Sequence, residues 1–245
     1  MADQRNAFTL RLLEDANIHP EMRVLDVGCG PGEVTGLLAA LVGDSGRVIG
    51  IDNNTQLLNL AKQNHSGENI EYREADLYNL PNDLGQFDAI VGRRVLMYLP
   101  DPMQALENLK PLLKPDGLFI FQESDAINGG TGEDPLPRHQ QAIQWVWQTV
   151  ELEGGDIHIG EKLYDMYVQL GIEAPHIMAE VVMQTSKEND LAWLVEMMLP
   201  RMQEHQVLSR DFSIDTFKKE LQAEAEGINT AFIRDTAFGI WGKLK

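Results

Sequence analysis

The chain has one cysteine, Cys29, among 245 residues, which excludes an internal disulfide and a cysteine-rich zinc site. It has no apolar run near the roughly 18–20 residues that span a bilayer. Met1–Leu10 carries acid and amide groups where a signal peptide would place a basic and then an apolar segment. The expectation is a soluble cytoplasmic protein. Bases are also scarce: 20 Lys and Arg stand against 38 Asp and Glu, a net charge of −18. Because Lys and Arg on phosphates dominate nucleic-acid affinity, DNA, RNA and anionic membranes are poor partners. No internal repeat or low-complexity linker divides the chain, and 43% hydrophobic residues suffice for a substantial core. A single domain over residues 1–245 is expected, as monomer or homodimer.

What the chain does have is the run Val24-Leu-Asp-Val-Gly-Cys-Gly-Pro-Gly32, an apolar strand that ends in alternating glycines. An amphipathic helix is expected before it, over residues 2–17, with Phe8, Leu12 and Ala16 on one stripe. After it, Glu33–Val42 reads as a helix, Arg47–Asp52 as a strand and Thr55–Asn64 as the next helix. Further strands are expected at Ile70–Arg73, Phe87–Val91 and Leu118–Gln122, the last after the turn Lys114–Gly117. Strands alternating with helices imply a doubly wound, mostly parallel α/β sheet. Beyond residue 125 the pattern predicts a loop at Asn128–Pro137, helices at His139–Leu152 and Gly160–Leu170, and a strand at Ile177–Thr185. Helix is expected over residues 188–226, kinked or ended by Pro200, and a last strand over Phe238–Leu244.

Glycines free of Cβ let the backbone approach a ligand, so the loop Gly28–Gly32 points to a nucleotide-like cofactor. The dinucleotide fingerprint G-x-G-x-x-G requires a third glycine where this chain has Glu33, whose carboxylate would repel a pyrophosphate. No Gly-Lys-Ser/Thr follows, which removes the P-loop. What remains is G-x-G-x-G with Asp26 two residues ahead of it and Asp52 ending the next strand.

With Asp76-Leu77, Phe87–Pro102 and Leu109–Gln122 following in order, the sequence resembles the class I S-adenosylmethionine-dependent methyltransferases, closest to small-molecule enzymes related to quinone-biosynthesis C-methyltransferases. The resemblance implies a Rossmann-like seven-stranded sheet with an antiparallel last strand and an added helical cap. It also implies S-adenosylmethionine as cofactor, held by Asp26, Gly28, Cys29, Gly30, Gly32, Asp52, Asn53, Asp76, Leu77, Gly92 and Arg93. Asp26 suits the ammonium group, Asp52 the two ribose hydroxyls, and Asp76 the adenine amine. The cofactor core would span about residues 20–125.

Methyl transfer from a sulfonium needs orientation and exclusion of water more than a protein nucleophile, so Cys29 reads as a small residue in a tight loop. The expected acceptor is a small molecule methylated on O, N or C, and a protein that binds the cofactor without transfer is the alternative. Val91-Gly92-Arg93-Arg94 lacks the Asn/Asp-Pro-Pro-Tyr of amino-methylating nucleic-acid enzymes and the acid of a magnesium site, so no metal is expected. All four tryptophans lie beyond residue 137, which places the acceptor cap at residues 1–19, 126–158 and 187–229. Trp193 and Met197, four apart and off the stripe Leu191, Leu194, Val195, Met198, Leu199 and Met202, are the candidate pocket residues. Glu123, Tyr98, His139 and His158 are the candidate bases.

Overall fold

Seven strands and eight α-helices build the described part of the chain in a computed structural model, residues 2–127, 136–172 and 175–244. The strands are β1 (Arg23–Val27), β2 (Arg47–Asp52), β3 (Ile70–Glu74), β4 (Phe87–Arg93), β5 (Leu113–Asp125), β6 (His176–Thr185) and β7 (Ala231–Lys243). They form one sheet in the order β3-β2-β1-β4-β5-β7-β6. Pairs among β1 to β5 are parallel, and β7 is antiparallel to both its neighbours. Strand order reverses between β1 and β4, and in such sheets the crevice beyond the carboxyl ends at that point takes the ligand.

The helices are α1 (Ala2–Asp15), α2 (Glu33–Val42), α3 (Thr55–Asn64), α4 (Pro102–Leu109), α5 (Pro137–Leu152), α6 (Ile159–Gln169), α7 (Leu191–Glu204) and α8 (Ile214–Ala225). Successive strand residues point to opposite faces, and the core divides accordingly. Val24, Val48, Ala89 and Leu118 pack on one face with Leu12 of α1 and Leu38 of α2. Leu25, Ile49, Ile90 and Phe119 pack on the other with residues of α4 to α8. Phe8, Leu12 and Ala16 are buried, as their helical spacing predicts.

Several boundaries differ from the sequence reading. β5 starts at Leu113, ahead of the expected turn, because Leu113 pairs with Phe87 and a bulge absorbs the offset before Ala89. β7 starts seven residues earlier than Phe238, at Ala231, where it pairs with Thr185 of β6. The helical stretch 188–226 is two helices, broken after Glu204 where Gln206 takes a φ of 60°. Pro200 lies inside α7 without ending it. It and Glu196 are both exposed, so water can satisfy the Glu196 carbonyl that a proline nitrogen cannot reach. Most of the expected Asn128–Pro137 loop, residues 128–135, lies outside the described residues.

Candidate functional site

The glycine loop leaves β1 at the point of strand reversal. Gly28 and Gly32 have φ of 59° and 88°, in the left-handed region that favours glycine. A Cβ on Gly28 would come within 2.6 Å of Val95, and one on Gly32 within 2.6 Å of the Tyr72 hydroxyl. At Gly30 a Cβ would meet nothing within 4 Å, so the tip of the loop faces open space. Cys29 is buried, and burial pushes its thiol far above the ordinary range, which keeps it from acting as a nucleophile.

Asp52, at the carboxyl end of β2, reaches into that space. One oxygen accepts from Gly30 N at 2.9 Å and the other from Asn54 N at 2.8 Å. Each oxygen keeps acceptor capacity for a further donor. Asn53 is exposed beside it, and the Asn54 side chain caps α3. On the next loop the exposed Asp76 accepts from Tyr78 N at 2.9 Å, while Leu77 is buried with its carbonyl held by Asn108. Gly92 is required by packing, since a Cβ there would lie 2.5 Å from the Phe121 ring.

Asp26 is 1% exposed and accepts from the Thr35 hydroxyl at 2.6 Å. Burial pushes its carboxyl from 3.8 up to about 7, against the pull of Thr35 and Arg93. A carboxyl raised in the fold is at no disadvantage below its unfolded value and opposes folding increasingly as pH rises through the folded one. Asp26→Asn keeps an acceptor for Thr35 and should therefore stabilise the free protein at pH 8, on the order of 3 kcal/mol. The gain should shrink at pH 5. Urea unfolding at both pH values checks this, and a gain independent of pH would contradict it.

Arg93 ties the entrance together. Its guanidinium pairs with Glu33 and donates to Asn6 Oδ1 at 2.9 Å and Thr9 Oγ1 at 3.2 Å. Thr9 in turn donates to Gln122 at 2.7 Å. The network fixes α1 over the carboxyl ends of β4 and β5 and neutralises the acid that opens α2. Burial pulls the Arg93 guanidinium below its ordinary value, with Glu33 opposing that shift.

Next to these strand ends lies a cavity of about 60 Å³, about 480 Å³ with its open mouth. Arg94, Met97, Tyr98 and Ser124 line it from the carboxyl ends of β4 and β5, and Ile143, Val146, Trp147 and Val150 from α5. Leu191, Leu194 and Met198 line it from α7, and Arg234 and Asp235 from β7. The main apolar stripe of α7 therefore faces the cavity. Trp193 and Met197 lie on the outer side of the helix, 48% and 62% exposed, and do not line it.

The candidate bases separate. Tyr98 is half exposed and lines the cavity. Glu123 is fully buried and accepts from Val95 N at 3.0 Å, Leu96 N at 2.9 Å and Met97 N at 3.5 Å. Its oxygens hold a backbone turn and do not face the cavity. His139 is 1% exposed, with Nδ1 at 2.7 Å from Glu224 Oε2, a tether between α5 and α8 that borders a different groove. His158 is half exposed at the start of α6, with Nδ1 at 2.9 Å from Asp125 Oδ1. Asp125 is fully buried at the end of β5 and also accepts from Ile127 N and Glu161 N.

The sequence reading missed Arg234 and Asp235, which it left outside any strand. A charged pair set in the apolar run Ala231-Phe-Ile-Arg-Asp-Thr-Ala-Phe238 was the available signal. Among the described residues, no group of three or more His, Cys, Asp or Glu is placed to hold a metal, and no helix is long and apolar enough to cross a membrane.

A family model described as a methyltransferase domain matches residues 18–194. The demethylmenaquinone methyltransferase of Staphylococcus aureus strain MRSA252 is 31% identical over 123 residues, 50% of this chain and 51% of that protein. An uncharacterized methyltransferase of Schizosaccharomyces pombe is 35% identical over 115 residues, 43% of this chain and 41% of that protein. The chain thus spans about half the length of these curated relatives. Among solved structures, the YcgJ protein of Bacillus subtilis has a TM-score of 0.62 at 18% identity, with 98% of this chain and 99% of that one covered. The phosphoethanolamine N-methyltransferase 2 of Haemonchus contortus, in complex with phosphomonomethylethanolamine and S-adenosylhomocysteine, has a TM-score of 0.59 at 16% identity. The match covers 98% of this chain and 52% of that one.

Proposed function

From the premise that the chain belongs to the methyltransferase-domain family, we propose that it transfers a methyl group from S-adenosylmethionine to a small molecule seated in the cavity beside β4 and β5. The observation that carries this reading is Asp52, whose two oxygens each spend one bond on backbone and stand beside the open side of Gly30. Vicinal hydroxyls are the donors that such a carboxylate takes in pairs. When bound, S-adenosylmethionine supplies a methyl group activated by its sulfonium.

The remaining roles belong to the chain. Asp26, buried and raised, is suited to an ammonium group, whose charge would draw it back to the carboxylate form. Gly28, Cys29, Gly30 and Gly32 let backbone approach, Asn53 flanks the ribose, Asp76 and Leu77 take the base, and Gly92 and Arg93 border the methionine end. The described residues of 1–19, 126–158 and 187–229 act as a cap that excludes water over a cofactor core of about 20–125. Where the acceptor must lose a proton, Tyr98, the candidate base that lines the cavity, is the one this reading favours. The protein is proposed to be a cytoplasmic monomer or homodimer, and its net charge of −18 speaks against nucleic-acid partners.

Incubation of the full chain with methyl-labelled S-adenosylmethionine and a small-molecule extract tests it. Label in a small product together with S-adenosylhomocysteine is expected. Binding of the cofactor with no labelled product would favour a cofactor-binding protein that transfers no methyl, and label only in macromolecules would contradict a small acceptor.

A further inference from the structure

We propose that Arg234 and Asp235 form the recognition floor of the acceptor cavity and select a molecule that presents a neutral hydroxyl on an apolar body. The inference rests on the methyltransferase reading above and specifies the acceptor class. Arg234 and Asp235 are 7% and 3% exposed. Among the described residues, Arg234 Nε and Asp235 Oδ1 have no hydrogen-bond partner. Buried donors and acceptors are rarely left unpaired, because each then loses its hydration without recompense. Both residues line the cavity, and an unpaired donor and an unpaired acceptor on adjacent residues match a group that can both accept and donate.

The backbone accounts for both side chains facing one space. Neighbouring strand residues ordinarily point to opposite faces. Here Val182 pairs with Asp235 and Met183 with Ile233, so Arg234 is an extra residue in β7. A bulge of this kind re-aims a side chain. Its position also fits: Asp125, the last residue of β5, pairs with Thr236, so the two charged residues lie just past the carboxyl end of β5.

Charge narrows the ligand further. The Arg234 guanidinium stands 3.8 Å from Asp190 and 3.4 Å from Asp235. Two carboxylates beside the Arg234 guanidinium already offset its charge, so it offers an acidic ligand no unpaired cation. A hydroxyl adds no charge, accepts from Nε and donates to Oδ1. Ile143, Val150, Leu191, Leu194 and Met198 supply apolar walls for the body that carries it. The cavity of about 60 Å³ opens on one side, which leaves room for a body longer than its floor.

The test is calorimetric titration of the full chain, saturated with S-adenosylhomocysteine, with three matched probes: p-cresol, toluene and 4-methylbenzoate. The expected result is p-cresol binding at least about tenfold tighter than either of the others, with that preference lost in Asp235→Leu. The comparison on the unaltered chain stands even if the variant does not fold. Equal binding of p-cresol and toluene, tighter binding of 4-methylbenzoate, or no binding of any probe would overturn the inference while leaving the cofactor site intact. Failure to bind S-adenosylhomocysteine would remove the reading on which it rests, and the inference with it.

Discussion

Asp52→Ala should weaken S-adenosylhomocysteine binding by about a hundredfold or more. Two hydrogen bonds from ribose hydroxyls to a charged acceptor contribute about 1.5–3 kcal/mol each, and both are lost together. The Gly30 and Asn54 N–H groups lose the acceptor that fixes the loop, so its order suffers as well. Asp52 is only half-buried, and the fold should survive the change, with a circular dichroism spectrum close to that of the parent. Isothermal titration measures the affinity directly. A loss smaller than tenfold would show that Asp52 serves the loop and not the ligand.

The second large effect concerns Glu123, and it is an effect on stability. Removal of its carboxylate in Glu123→Ala leaves the Val95, Leu96 and Met97 N–H groups buried without their acceptor. Each unsatisfied group costs about 1–3 kcal/mol, so a loss of roughly 3 kcal/mol or more is expected. For a chain of this size that is on the order of 6–12 °C in Tm. Glu123→Gln should be much milder, because the Val95 and Leu96 groups both donate to the same oxygen, which the amide retains. Burial pushes the carboxyl from 4.5 up to about 7, so the folded state favours its protonated form. The Glu123→Gln variant should therefore gain relative stability as pH rises from about 4.5 through 7. If Glu123 were instead the base of the reaction, Glu123→Gln would lose turnover at unchanged Tm, the opposite pattern.

The parts of the molecule that were legible in sequence are those fixed by local chemistry. Asp26, the glycines and Asp52 sit at strand ends, where the side-chain period and the need for left-handed backbone define the loop whatever packs elsewhere. The core strands β1, β2 and β4 alternate between two buried faces, and apolar runs of that length follow from it. The acceptor side depends on which face of each helix meets which neighbour, and that is tertiary information. The apolar stripe of α7 looks the same whether it meets a packed core or a cavity, so the sequence points to Trp193 and Met197 where Leu191, Leu194 and Met198 line the cavity. Glu123 reads as a free acid at a strand end because its partners are backbone groups nearly thirty positions earlier in the chain. Arg234 faces the cavity only through a bulge, whose one-residue offset is defined by pairing with β6 and has no local signature.

A crystal structure of the full chain with S-adenosylhomocysteine bound would place the ligand against Asp52 and the cavity directly. Ribose hydroxyls are expected on the Asp52 carboxylate, the ammonium end near Asp26, and the sulfur turned toward the cavity bordered by Arg94, Tyr98 and Ser124. A ligand bound away from Asp52, or one whose sulfur faces away from that cavity, would contradict the proposed site.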